Sequence, residues 1–474
     1  MDSDEKDVKT SSQNDEDIKT CEVSPLVDTK RMFRKVDIVV LMIMLVTYAL
    51  QFTDKLALSS AAVFGLRTEL KLVGQDYSWT SSVFYFGYML GNFLVAKLIH
   101  VFPIGKFIFF TVCAWGITLA CTAACTNYAG LITARFFLGL LESAVSPTFV
   151  FMTTMWYTQE QRAFRGSVWF AGNDVGGVFS ALVCFGLGHA GGALLPWKYI
   201  FITFGCLTFL WSFVILFFLP DTPQRATFLT ADEKQFYREE MKASDVEKEW
   251  DWDQAKSCVF DLNLWLILLS TAMSILPNSG VISYGYIILD SFGFTSIQST
   301  LINLALSVLT FFCITISGYF ASRLPNARCY MVLVCVAISI VGGCLIYKGN
   351  SKGVKLLGYF LVDAQPAITP LLLGMAASNF QGNTRRSVVN SSIFVVYCAC
   401  NIAGPQLFQS TDAPHYPHAF LAWIICYCLN AVFAVAMRFR WIQCNKKLEK
   451  LSQIPETDGK EVIEFLDPTF RYKY

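Results

Sequence analysis

The stretch GLITARFFLGLLESAVSPTFVFMTTMW, residues 130–156, is long and apolar enough to cross a bilayer as a helix, yet it carries Arg135 and Glu142. At about 1.5 Å rise and about 3.6 residues per turn, their spacing puts both side chains on one helix face, about 10.5 Å apart along the axis. A charge at the bilayer centre costs about 2.5–3.5 kcal/mol on insertion scales, so such residues normally face a watery cavity or a partner and mark a transport path. The pair predicts a helical membrane protein whose interior handles charge.

The rest of the chain agrees. It has 474 residues, 54% hydrophobic and 15% charged, with a mean hydropathy of +0.47, which is too apolar for a soluble protein of this size. The apolar runs are about 20 residues long and lack the alternation of barrel strands, so the spans are helices. A net charge of +1 gives no reason to expect a nucleic-acid partner. Most of the 16 cysteines fall inside apolar runs, where they act as small hydrophobes. Cys398 with Cys400, and Cys426 with Cys428, have a C-x-C spacing that is not a redox motif. The four histidines are scattered, and His415 and His418 share one solvated loop, so no metal site and no cofactor are expected. Neither a nucleophile elbow nor a nucleotide-binding loop appears, which argues against an enzyme.

Twelve spans are predicted, near residues 37–58, 77–99, 105–125, 130–156, 164–188 and 197–219, then 261–289, 297–322, 328–347, 354–377, 386–409 and 417–440. This divides the chain into a disordered cytoplasmic tail over 1–36, a six-helix bundle over 37–219, a cytoplasmic linker over 220–260, a second six-helix bundle over 261–440 and a tail over 441–474. With no cleaved signal peptide in the polar first 30 residues, the first span is its own insertion signal. Within the linker, Thr230-Ala231-Asp232-Glu233-Lys234 reads as a capped helix start. Arg31, Arg34, Lys35, Lys106, Arg162, Arg165, Arg323, Arg328, Arg385, Arg386, Arg438, Arg440, Lys446 and Lys447 lie in loops that the positive-inside rule makes cytoplasmic, which puts both termini in the cytosol. The loop with Lys348, Lys352 and Lys355 breaks the rule, being external yet basic.

Gly87 with Gly91, and Gly172 with Gly176, are small-xxx-small pairs that allow close helix approach. Pro147, Pro277, Pro366, Pro370 and Pro405 are expected to interrupt or bend their helices, and a break at Pro277 would leave carbonyls free to line a cavity. Gly and Pro are common in membrane helices generally, so each instance is equally readable as packing alone.

Twelve spans split six and six around a polar loop resemble the major facilitator superfamily, whose halves rock about a midplane site. The strings Gln51-Phe52-Thr53-Asp54-Lys55-Leu56-Ala57-Leu58, Tyr77-Ser78-Trp79, Phe84-Tyr85-Phe86-Gly87-Tyr88 and Phe102-Pro103-Ile104-Gly105-Lys106 narrow this further. So do Arg135-Phe136-Phe137-Leu138-Gly139 with Glu142, Trp156-Tyr157-Thr158 with Glu160 and Arg165, Pro220-Asp221-Thr222-Pro223, and Asn401-Ile402-Ala403-Gly404-Pro405-Gln406. Together, over residues 37–440, they resemble the fungal allantoate permease family, a branch of the anion:cation symporters. The resemblance implies transport of a small organic anion such as a ureido acid or a vitamin acid. The loop 100–106 lacks the Asp of the wider superfamily's gating motif, as this branch generally does. Lys55 stands where the symporters often carry Arg; it keeps the charge and loses the bidentate fork.

An anion crossing a low-dielectric cavity needs a cation to offset its desolvation, and Lys55 and Arg135 are the candidates at membrane depth. Burial disfavours the charged form of a carboxyl, and a proton carrier must change charge near neutral pH, which nominates Asp54 and Glu142 for proton coupling. In the expected symport cycle, protonation of Glu142 and Asp54 frees a cation that Asp54 had held, and Arg135 or Lys55 then takes the substrate carboxylate. A static Arg135–Asp54 ion pair is the competing reading. Further polar candidates for substrate contact are Tyr85 and Tyr88 in the second span, Asn173 in the fifth, Asn278 and Tyr284 in the seventh, and Tyr397 and Asn401 in the eleventh. For Asn173 the matching position in related symporters is a substrate contact, and for the others helix-to-helix hydrogen bonding is the alternative. A nutrient sensor signalling through its tails is the competing function; tails of about 36 and 34 residues leave it little room. The expected partners are a small organic anion, protons and the lipid bilayer, with a monomer as the working unit in the plasma membrane, ahead of an internal one.

Overall fold

The computed structural model describes residues 28–189, 193–242, 251–324, 326–451 and 472–473. Most of the first tail, 1–27, and most of the second, 452–471, lie outside the described residues, so the expectation of disorder there is not addressed. Among the described residues, twelve helices are long and apolar enough to cross a membrane. In chain order they are α1 (Thr29–Glu69), α2 (Asp76–Val101), α3 (Ile104–Thr122), α4 (Tyr128–Trp156), α5 (Phe164–Gly188) and α6 (Pro196–Phe218). The second half holds α7 (Leu262–Ser291), α8 (Ser296–Arg323), α9 (Arg328–Lys348), α10 (Lys352–Asn379), α11 (Thr384–Leu407) and α12 (Pro417–Lys450).

Three ends differ most from the expected spans, and at one of them α1 runs eleven residues past 58, to Glu69, kinked at Phe64 and Gly65. α1 starts eight residues earlier than residue 37, because Asp28 caps it and Met32, Phe33 and Val36 form a buried stripe on an otherwise charged turn. α12 runs ten residues past 440, and Tyr472 and Lys473 return to it: the Tyr472 amide donates to Asn445 Oδ1 at 2.9 Å and the Lys473 amide to Asn379 Oδ1 of α10 at 2.8 Å.

Small residues set the closest helix contacts. A Cβ on Gly87 would collide with the Phe136 carbonyl, and one on Gly139 with the Phe84 carbonyl, so α2 and α4 touch backbone to backbone. Gly172 and Gly176 place α5 equally close to α1, against Leu45 and Ala49. The helices of the two halves meet along three seams, α1 with α7, α2 with α11, and α5 with α8.

The prolines act unevenly. α4 is interrupted at Ser143 and Ala144, just before Pro147, and α10 at Asp363 and Ala364, before a 3-10 turn over Gln365–Ala367 that holds Pro366. At Pro277, where an interruption or a bend is expected, α7 is not interrupted: it runs from Leu262 to Ser291. A proline removes the hydrogen bond to the carbonyl four residues back; here Pro277 is buried, and the next residue along from that carbonyl is anchored, with Gln365 Nε2 donating to Ser274 Oγ at 2.6 Å.

The linker contains helices over Ala231–Lys242 and Trp252–Val259. The first opens with Thr230 and Glu233 bonded reciprocally, the Thr230 amide to Glu233 Oε2 at 2.8 Å and the Glu233 amide to Thr230 Oγ1 at 3.3 Å, which is the start read from the sequence. The basic loop that the topology expects outside also has a local explanation. Lys352 Nζ donates to the Gly293 carbonyl at 2.8 Å and Lys355 stands 5.5 Å from the centre of the Phe292 ring, so these lysines tie the start of α10 to the turn between α7 and α8.

Candidate functional site

α1, α3 and α4 bring the four expected charged residues into one buried cluster in the first half. Asp54, Arg135 and Glu142 are buried, and Lys55 is nearly so. Lys55 Nζ lies 3.3 Å from Glu142 Oε1, and Gln51, one turn earlier on α1, donates to the Glu142 carbonyl at 3.4 Å. Asp54 Oδ2 accepts a hydrogen bond from Trp115 Nε1 of α3. Among the described residues no cation pairs with Asp54 within 4 Å: Lys55 pairs with Glu142, and an indole holds the aspartate. Adjacent residues on a helix point about 100° apart, so Asp54 and Lys55 cannot share a partner and each turns to a different helix.

Arg135 is 3% exposed and has Asp54 and Glu142 within electrostatic reach. It forms no ion pair within 4 Å among the described residues, and its Nε and Nη2 find no hydrogen-bond acceptor there. Its guanidinium lies 5.4 Å from the centre of the Phe201 ring of α6. A buried guanidinium with unfilled donors is costly, because each lost hydrogen bond to water goes unreplaced. Arg135 also lines a cavity between the halves with Lys55, Leu58, Thr80, Ser81, Tyr85 and Ser283. Its volume is about 20 Å³, enough for a water and too small for an organic acid.

The remaining candidates divide. Tyr85 lines the cavity and meets Tyr397 of α11 edge-on at 6.1 Å, across the seam between the halves. Tyr88 carries Lys55 5.7 Å from its ring centre and bonds Ser146 Oγ at 3.2 Å. Asn401 is turned into its own helix, its Nδ2 donating to the Tyr397 carbonyl one turn back at 2.8 Å. Tyr284 is also elsewhere: its hydroxyl meets Ser78 Oγ at 2.6 Å and its ring stacks on Phe408 at 4.4 Å, inside the contact that joins the halves. Asn173 and Asn278 are half-buried and make no side-chain hydrogen bond among the described residues.

Sequence reasoning missed Trp115, Gln51, Ser81 and Ser283. Trp115 sits in an apolar run with nothing to distinguish it from lipid-facing aromatics. Gln51 had a signal, one turn before Asp54-Lys55 on the same helix.

The hydrogen bonds that join the halves gather at one end. Tyr77 donates to the Ser283 carbonyl at 2.6 Å, Ser81 Oγ meets Ser283 Oγ at 2.7 Å, and Ser82 Oγ donates to the Ile402 carbonyl at 2.7 Å. Ser296 Oγ reaches the Val63 carbonyl at 3.1 Å. On the orientation that the loop charges imply, these residues form the external end of α1, α2, α7, α8 and α11. The cavity lies directly beneath this closure, between two helical halves.

The sequence matches the Major Facilitator Superfamily over residues 43–405. The chain belongs to that superfamily. Within it, the chain is similar to the allantoate permease of Saccharomyces cerevisiae, 30% identical over 96% of this chain and 88% of the permease. An uncharacterized transporter of Schizosaccharomyces pombe is 33% identical over 92% of this chain and 84% of its own length. These place the chain in the allantoate permease family. Among solved structures, the inward-open xylose transporter of E. coli superposes with a TM-score of 0.66 at 14% identity, covering 86% of this chain and 95% of that one. A bacterial homologue of the human lysosomal transporter Spinster also gives 0.66 at 14% identity, covering 85% of this chain and 97% of that one. At that identity the likeness is one of fold. The chain is a multi-pass membrane transporter for a small molecule.

Proposed function

We propose that this transporter is a proton-coupled symporter of a small organic anion, working by alternating access. The observation that carries the reading is Arg135: a buried cation with two unfilled donors, facing a cavity between the halves. A carboxylate would supply both the opposite charge and the missing acceptors. Lys55 is the second cation, and in this conformation Glu142 holds it.

The cycle follows from that pairing. A proton from the outer aqueous side adds to Glu142, which neutralises it and releases Lys55; the freed ammonium and Arg135 then share the substrate carboxylate. Asp54, beside Trp115 and within reach of Arg135, is the second acid whose charge competes with the substrate for the guanidinium. With anion and proton both bound, the site carries less net charge than either ligand alone would leave, and the halves rock across the bilayer. Lysine in place of arginine on α1 grips by charge more than by shape, so Arg135 sets the carboxylate's orientation.

The yeast relative's name makes allantoate the first probe. In proteoliposomes, radiolabelled allantoate and a panel of small carboxylates are offered with and without an imposed proton gradient. For the accepted substrate, Glu142→Gln is expected to abolish gradient-driven accumulation while leaving substrate exchange across the membrane. Unchanged gradient-driven accumulation in that variant overturns the coupling role.

A further inference from the structure

The second half holds a buried acid that the cycle above does not use. Asp363 lies at the interruption of α10, eleven residues from Lys352 in a helix of 28, so near the middle of the bilayer. It is 8% exposed. The interruption exists because Pro366 follows it, and the chain turns there into the 3-10 segment Gln365–Ala367. That turn aims the carboxylate at α8, where Thr310 Oγ1, itself halfway along its span, donates a hydrogen bond to Asp363 Oδ2.

What faces Asp363 is the decisive point. The one side chain that touches the carboxylate among the described residues is Thr310 of α8; the other ionisable groups whose charge reaches it are Cys313 of α8, Tyr359 of its own helix, Tyr427 of α12 and Asp174 of α5 in the other half. No Lys, Arg or His stands among them. The first half offsets each buried acid with a cation or an indole; here a carboxylate has one hydroxyl and, across the seam between α5 and α8, a second carboxylate.

We propose that Asp363 is a second proton-binding site, set at the seam between the halves and distinct from the Asp54–Glu142 cluster. A metal cation fits poorly, since hard cations gather six or more oxygens and this carboxylate brings a single hydroxyl partner. A proton needs one acceptor. The step is simple: hydronium gives one proton to the Asp363 carboxylate, leaving water and a neutral acid, and the same proton returns to water when the seam opens. Loading removes the repulsion between Asp363 and Asp174, and so favours the packing of α5 on α8. The site thus links protonation to the contact between halves, without touching the substrate.

The test needs no substrate, so it stands apart from the symport reading. Infrared difference spectra between acidic and alkaline buffer, on the full chain in lipid, report each carboxyl that gains a proton through its C=O stretch. Asp363→Asn is expected to remove one component of that band, while Asp54→Asn and Glu142→Gln remove others. Thr310→Val, which takes away the hydroxyl donor and keeps the shape, is expected to move the same component to higher frequency. A band unchanged by Asp363→Asn overturns the proposal. If that variant does not fold, a band unmoved by Thr310→Val overturns it instead.

Discussion

Asp54 and Lys55 are neighbours in sequence and opposites in environment. The first is fixed by Trp115 from α3 and the second by Glu142 from α4, so one dipeptide couples three helices. The sequence showed both residues and their depth, but not their partners, because partner choice depends on the roll of α1 against its neighbours. Trp115 is the clearest case: fully buried, surrounded by apolar residues, and carrying one donor that an aspartate uses. Trp115→Phe would leave the aromatic packing largely in place and take away that donor. A hydrogen bond to a charged group contributes about 1.5–3 kcal/mol, so the variant is expected to unfold at a clearly lower temperature in detergent. Combining it with Asp54→Asn should recover part of the loss, since the neutral amide leaves no buried charge without a partner. Equal melting of Trp115→Phe and the native chain would mean that the indole does not support the carboxylate.

At the scale of elements, what the sequence revealed was local chemistry, and what it hid was contact at a distance. The span count, the glycine faces and the Thr230–Glu233 helix start all rest on residues a few positions apart. The unbroken course of α7 through Pro277, with Ser274 held by Gln365 from 91 positions away, was not legible. The short loop between α2 and α3 shows the same limit. It lacks the Asp of the wider superfamily, yet Asp221, just past α6, accepts from the Gly105 amide at 3.1 Å and supplies an acid to the start of α3. The two halves also echo each other where loops re-enter the membrane: Arg162 Nε donates to the Tyr157 carbonyl at 2.9 Å, and Arg386 Nε to the Phe380 carbonyl at 2.9 Å. Glu233 ties the linker helix Ala231–Lys242 to α1 through Lys35 Nζ at 2.8 Å. Burial pushes its carboxyl up, but the hydrogen bonds from Lys35 and Thr230 outweigh this and hold it below its ordinary 4.5. A group depressed in the folded state stabilises fully above its ordinary value, and that support is lost as pH falls through the lower, folded value. Amide exchange over residues 231–242, corrected for its intrinsic pH dependence, is therefore expected to speed up as the buffer is acidified past that point. Glu233→Gln should abolish the acid step; if the step persists in that variant, another group controls the docking.

For the whole molecule, the main consequence is an asymmetry between the two ends. Hydrogen bonds across the halves join Tyr77, Ser78, Ser81 and Ser82 of α2 to Ser283 and Tyr284 of α7 and to Ile402 and Gln406 of α11. These partners are hydroxyls, carbonyls and one amide, with no ion pair among them. Such bonds have modest net strength in a membrane, about 0.6 kcal/mol on average, so a set of them closes one end firmly while each yields singly when the halves rock. Large buried salt bridges would instead hold a single state. On the proposed cycle, substrate entry from outside requires this set to open, since the cavity beneath it is too small for an organic acid. Ser81 and Ser283 allow a direct test, because their hydroxyl oxygens lie 2.7 Å apart. Cysteines at both positions would bring two sulfurs close to bonding distance with the helices where they are. Oxidising the Ser81→Cys, Ser283→Cys double variant is expected to reduce uptake to background and reducing it to restore uptake, with neither single variant responding. Full uptake by the cross-linked protein would show that this end of the molecule need not open, and that the substrate reaches Arg135 by another path.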